Sequence, residues 1–183
     1  MQPKRTYFTI FLGSLFLIII FTCQTLPELD GSLNVSKGTV YGKAHETDKQ
    51  EIEALFQKMV QAVLNKNLLE ISNDIHPKQG IWVDIKAQWT KEEFVKSFEE
   101  VDNYFEIYFY STTKLRQKKQ NDSSWSVRDI LILSRGIRID YYFDAKDECE
   151  LDLLFEANQE LEGDLANPVF RKQGGRWYIY RLF

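Results

Sequence analysis

Apolar positions recur along this chain with two different periods, and the change of period divides it. Between residues 47 and 64 the side chains of Ile52, Leu55, Phe56, Met59, Val60, Val63 and Leu64 fall at steps of three and one, a single stripe along a helix. Thr47-Asp48-Lys49-Gln50 ahead of them has the form of a capping box, which satisfies the first free backbone donors. Asn65-Lys66-Asn67 interrupts the stripe, and Leu68, Leu69, Ile71 and Ile75 extend it as a second short helix. His76-Pro77 stops that helix, because proline disfavours helical backbone in the residue before it. Gly80 allows a tight exit into a strand over Ile81–Ile85. A second capping box, Thr90-Lys91-Glu92-Glu93, opens a helix with Phe94, Val95, Phe98 and Val101 on one side.

Beyond residue 103 the pattern is that of strands. Tyr104–Thr112 is dense in aromatic and β-branched residues and is expected to be extended, with Tyr104, Glu106, Tyr108 and Tyr110 on one face and Phe105, Ile107 and Phe109 on the other. Gln117–Ser124 is polar and reads as a loop, while Ile130–Leu133 fits either strand or helix. Ile137–Phe143 alternates, turns at Asp144-Ala145-Lys146-Asp147, and is answered by Cys149–Glu156. A last hairpin joins Val169–Lys172 to Arg176–Phe183 through Gln173-Gly174-Gly175, whose glycines supply the positive φ such a turn requires. Helices first and strands after predict an α+β domain over 47–183, its helices laid on one face of a curved antiparallel sheet. Residues 23–46 carry Pro27, Gly31, Gly38 and Gly42 and no clear period, and read as a flexible tether with a short strand at Thr39–Tyr41.

Charge narrows the partners. The chain has 23 basic and 27 acidic side chains. Without residues 1–22, which contribute only Lys4 and Arg5, 21 basic face 27 acidic residues, a formal charge of −6. No dense basic patch is present to displace counterions from a phosphate backbone, so nucleic acid is not an expected partner. Arg116-Gln117-Lys118-Lys119 reads as a solvated loop.

The N-terminus has a separate logic. Lys4 and Arg5 precede fifteen uncharged, mostly apolar residues, Tyr7–Phe21, after which the chain turns polar. The run is short of the roughly 20 residues that span a bilayer core as a helix, and has the build of a secretory signal. Ile20-Phe21-Thr22-Cys23 resembles the lipobox of bacterial lipoprotein signals. That resemblance implies cleavage before Cys23, a diacylglycerol thioether on its sulfur, further palmitate-type acylation, and a chain held to membrane lipid in the bacterial cell envelope. Cys149 is then without a partner in the chain, so no disulfide framework is expected and Cys149 reads as a small buried apolar residue.

The order helix, helix, strand, helix and then four or five strands resembles the nuclear-transport-factor-2-like fold, a cone with an apolar mouth. It is carried most clearly by the helix at 47–64 and by Gly175-Arg176-Trp177-Tyr178-Ile179-Tyr180. Members of that fold include enzymes and pure binders, so it licenses no reaction by itself. His76 and Asp84, eight residues apart across a turn, are weak candidates for an acid/base pair at such a mouth. The same two residues also read as a helix stop and an exposed strand position. His45 falls in the tether, and the acidic stretch Asp144–Asp152 lacks calcium-loop spacing, so neither a metal nor another cofactor is expected. On Cys149–Glu156 alternation sends Cys149, Leu151, Leu153 and Phe155 inward and Glu150 and Asp152 outward. Tyr104, Tyr108 and Tyr110 form the expected partner face. The reading is therefore a binding or structural module that contacts a protein or an envelope polymer, with a small-ligand carrier or enzyme using His76 and Asp84 as the alternative.

Overall fold

The computed structural model describes residues 33–183, and the lipobox with Cys23 lies outside them. Seven strands form one mixed sheet in the order β1-β4-β5-β6-β7-β2-β3. They are β1 (Val35–Tyr41), β2 (Ile81–Trp82), β3 (Gln88–Trp89), β4 (Ile137–Ala145), β5 (Glu148–Phe155), β6 (Val169–Gln173) and β7 (Arg176–Arg181). The α-helices are α1 (Glu46–Leu64), α2 (Lys91–Ser97), α3 (Thr112–Lys119) and α4 (Val127–Leu133). Among the described residues no helix is long and apolar enough to cross a membrane.

The α+β class stands, and the expected antiparallel sheet is corrected to a mixed one. β4 to β7 form the antiparallel meander, but β1 runs parallel to β4 and β2 parallel to β7. Residues 35–41, assigned to the tether, are therefore an edge strand of the domain. Leu33 just before them is already buried.

α1 begins two residues earlier than a capping box at Thr47 implies. His45 is its N-cap and makes no side-chain cap, so the Thr47 capping box does not form. Asp48 is drawn instead into the interior, where it meets Lys172 and Trp177. The expected stripe does form: Ile52, Leu55, Phe56, Met59, Val60 and Val63 are buried among Ile137, Ile139, Leu151, Phe170 and Ile179 of the sheet. Each such side chain contributes about 1.5–3 kcal/mol on leaving water. The short second helix is a 3-10 segment, Leu68–Asp74. The capping box at Thr90 forms in both directions, with Glu93 N–H donating to Thr90 Oγ1 and Thr90 N–H donating to Glu93 Oε2.

The strand expected over Tyr104–Thr112 is a helical turn of π type, Glu106–Tyr110, followed by α3. Aromatic rings four residues apart meet there, Tyr104 stacked on Tyr108 at 4.6 Å and Phe105 edge-to-face with Phe109 at 5.2 Å. Spacing of four is shared by two strand periods and one helical turn, and the Phe94–Phe98–Phe105 cluster below decides for the helix. The basic run Arg116–Lys119 is accordingly the last turn of α3, where cations favour the helix C-terminus. Ile130–Leu133 belongs to α4, which Ser126 caps.

At Gly38 the missing side chain leaves room for Asp140 between β1 and β4. The register slips between Lys37 and Val40, and the Asp140 carboxylate fills the slip, accepting from Thr39 N–H at 2.8 Å. A Cβ on Gly38 would stand 1.8 Å from Asp140 Oδ1. Gly38→Ala is expected to lower stability by about 1–3 kcal/mol through loss of that bond. Introduced after Asp140→Ala, the same change should cost clearly less, a non-additivity that urea unfolding of the four proteins measures.

Candidate functional site

The sheet has one covered and one open face. On β5, Cys149, Leu151, Leu153 and Phe155 are buried against the helices, as expected from alternation, while Glu150 and Asp152 stay half-exposed. Cys149 is fully buried and burial pushes its thiol up to about 12, so it packs as a small apolar residue.

On the open face the register lines up side chains across strands. Tyr41 pairs with Tyr142 and Tyr142 with Glu150. One step along, Glu148 pairs with Arg171 and Arg171 with Tyr178. Tyr41 and Tyr142 stack at 4.5 Å with 14° between their planes, and remain 44% and 37% exposed. Arg171 forms an ion pair with Glu148, donates to Gln79 Oε1, and lies 3.8 Å over the Tyr180 ring.

His76 is brought to this face. The helix stop at Pro77 and the bridge from His76 N–H to Ile179 O set it beside β7, edge-on to Tyr178 and Tyr180. Its Nδ1 accepts from the amides of Lys78 and Gln79, so the neutral ring carries its proton on Nε2. Burial, and then the Arg171 and Lys78 charges, hold its pKa below the usual histidine value. Next to the imidazole opens a cleft of about 510 Å³, walled by Lys78, Arg171 and Lys172 and by Asp144, Asp147 and Glu148.

Asp84 lies apart from this cleft. Its Oδ1 accepts from the amides of Lys86 and Ala87, and its Oδ2 from the Tyr104 hydroxyl at 3.1 Å. The imidazole and the carboxylate are thus each committed to a turn of their own, and no hydrogen bond joins them among the described residues. The three tyrosines expected on one strand face do not form an exposed face together. Tyr104 and Tyr108 are half-buried and stacked on each other. Tyr110 is buried, and its hydroxyl accepts from Leu68 N–H at 2.9 Å. Burial raises the Tyr104 and Tyr110 phenols, the latter to about 12. The exposed tyrosines are Tyr41 and Tyr142, and the alternation on 137–143 was the signal that placed Tyr142 outward.

Behind the cleft, the β6–β7 hairpin is bound to α1 by a buried charge. Asp48 Oδ1 accepts from Trp177 Nε1 at 2.9 Å and from Lys172 Nζ at 2.5 Å, and Trp177 is fully buried. Burial pushes the Asp48 carboxyl up, but these two donors and the lysine charge outweigh it and hold the carboxyl below its ordinary value. Among the described residues no group of three or more His, Cys, Asp or Glu could hold a metal ion.

No family model matches this chain, and no curated protein or solved structure is significantly similar to it.

Asp48→Ala is expected to cost about 3 kcal/mol, because it leaves a buried indole N–H and an ammonium without an acceptor. The sign with pH follows from the lowered carboxyl. Its contribution is complete above the ordinary carboxylate range and is lost as pH falls through the lower folded-state value. Asp48→Asn should therefore flatten the acid limb of the stability curve, which denaturant unfolding between neutral and acid pH measures. For His76, NMR titration should give a midpoint below 6.5.

Proposed function

We propose that this protein is a lipid-anchored component of the bacterial cell envelope whose α+β domain is a binding or structural module. The observation that carries the reading is the apolar run Tyr7–Phe21, which leads through Ile20-Phe21-Thr22 to Cys23, with Leu33 already buried in the domain. Ten residues from the cysteine to Leu33 leave a reach of roughly 33–36 Å from the bilayer surface. Acylation at Cys23 would add about 0.8 kcal/mol of membrane affinity per buried methylene, enough for stable anchoring once more than one chain is attached.

For the domain, binding is favoured over catalysis by the state of the two acid/base candidates. His76 Nδ1 and both Asp84 oxygens are already occupied by their own turns or by Tyr104. An orienting carboxylate on the imidazole, the arrangement a general base needs, would have to be assembled by movement. The nuclear-transport-factor-2-like cone remains part of the proposal. A long first helix and a closing antiparallel meander support it, while the parallel placement of β1 and β2 is an elaboration on that plan.

Metabolic labelling with a clickable palmitate tests the anchor. The wild-type protein should take up label and sediment with membranes, and Cys23→Ala should lose both. Equal labelling of the two proteins, or none of either, defeats the proposal.

A further inference from the structure

We propose that the end of the domain where the chain enters, formed by α3, α4 and the close of α1, docks on an anionic lipid surface. This deepens the anchored-module reading and rests on it. A short connection fixes which end of a tethered domain reaches the bilayer. Charge then fixes which side of that end turns toward the headgroups, because the attraction acts only within about a Debye length of them.

The chain enters beside these helices. Leu33 and Val35 line a groove with Val60 and Gln61, in the last turns of α1, and Asn34 O accepts from Ile137 N–H at the start of β4. Arg128 of α4 donates to the carbonyl of Leu64, the last residue of α1. Tyr110, just ahead of α3, accepts from the amide of Leu68, just past α1. The first residues of β1 and β4, the close of α1, α3 and α4 therefore meet at one end. The β4–β5 turn with Lys146 lies at the other, nine residues along from Ile137 and so about 30 Å away.

Charge at the entry end is one-sided. Residues 114–128 carry five basic side chains and a single carboxylate, Asp122, in a chain whose formal charge without residues 1–22 is −6. Lys114 pairs with Asp102 and Glu106. Lys66, Arg116, Lys118 and Lys119 are in no ion pair among the described residues, and the three lysines are exposed. Arg116 lies 4.6 Å over the half-buried Trp125 ring, an aromatic of the kind that settles at headgroup level. Neighbouring carboxylates are engaged: Asp129 is buried and accepts from the Thr112 hydroxyl, and Glu70 accepts from Asn67. The acidic 3-10 segment Gln159–Asp164 lies past β5, where Glu162 shares a groove wall with Asp152 and Leu154 on the open side of the sheet. An anionic surface thus attracts the helix side and repels the sheet side. The patch is small beside what a nucleic-acid duplex engages, and a duplex would come from solution, whereas the chain itself keeps headgroups within reach.

The experiment is acetylation footprinting of the full-length protein, recovered from membranes and reconstituted on vesicles of phosphatidylcholine alone or with about 30% phosphatidylglycerol. A water-soluble reagent modifies exposed lysines, and mass spectrometry reads the rate at each. On anionic vesicles Lys66, Lys118 and Lys119 should react about threefold or more slowly than on neutral ones, and about 0.5 M sodium chloride should restore the rates. Lys146, exposed at the far turn, should react alike on both. Lys118→Glu combined with Lys119→Glu, both at exposed positions, should release Lys66 from protection and keep the thermal melt near that of the wild type. Equal rates on the two kinds of vesicle overturn the proposal. So does equal protection on both that salt does not relieve, protection of Lys146 in place of the three lysines, or protection that survives the charge reversal. Slowing by dissolved DNA but not by anionic vesicles assigns the patch to nucleic acid and also overturns it. Palmitate labelling of Cys23 is read separately. A labelled chain without charge-dependent protection loses only the docking surface, and an unlabelled chain that keeps it loses only the acyl anchor.

Discussion

The fold depends on one buried carboxylate. Asp48 sits in the first turn of α1, 5% exposed, and holds both the indole of Trp177 and the ammonium of Lys172. These partners lie on β6 and β7, more than 120 residues along the chain, so the clamp fixes the long helix to the last hairpin. Glu51 adds a second tie by accepting from Trp177 N–H, and Asp74 a third by pairing with both Lys58 of α1 and Arg176 of β7. A buried ion pair is a weak source of net stability but an effective one of register, since any other seating would strand its charge. The apolar stripe of α1 tolerates small slides over the sheet; the Asp48 oxygen does not.

The same hairpin serves two faces because its residues alternate. Trp177 and Ile179 are fully buried under α1, while Tyr178 and Tyr180 turn to the other side and stand against His76. Lys172 closes the Asp48 clamp, and its neighbour Arg171 lies over Tyr180 beside the cleft. One rigid turn, with Gly174 and Gly175 both at positive φ, therefore sets the geometry of the core and of the open face together. Loosening the clamp would disturb the outer face through the hairpin, without any direct contact to it.

What was legible in the sequence follows from how local the determinants are. The α1 stripe, the Thr90 capping box, the alternation of β5 and the diglycine turn each depend on spacings of four residues or fewer, and each appears in the structure. The equally local Thr47 capping box does not form, and two longer features were not read correctly. The Tyr104–Tyr110 segment carries strand propensity but is helical, because its aromatic rings pack on Phe94 and Phe98, a contact propensity does not see. Asn103, whose side chain accepts from Glu106 N–H, was the local sign of a helix start there. Of β1 only Thr39–Tyr41 was read as strand, because its partner lies about 100 residues away and because Gly38 reads as a tether residue until Asp140 is placed against it. For the site, His76 was visible as a helix stop, and that role is what positions its ring. The Tyr41–Tyr142 stack needed the parallel pairing of β1, which no local pattern encodes.

Recovering β1 for the domain changes the geometry of the proposed anchored state. A tether running to residue 46 would have let the domain range well away from the bilayer. With Leu33 already buried, and β1 pinned along β4 from Val35, at most nine residues lie between the domain and a lipidated Cys23. β1 then carries the chain about 20 Å from its first residue to Tyr41, at roughly 3.3 Å per residue. The open face of an anchored protein would thus stand within a few tens of ångströms of the membrane. Such confinement would raise the effective concentration of any membrane-held partner at the face, so that modest intrinsic affinity would suffice.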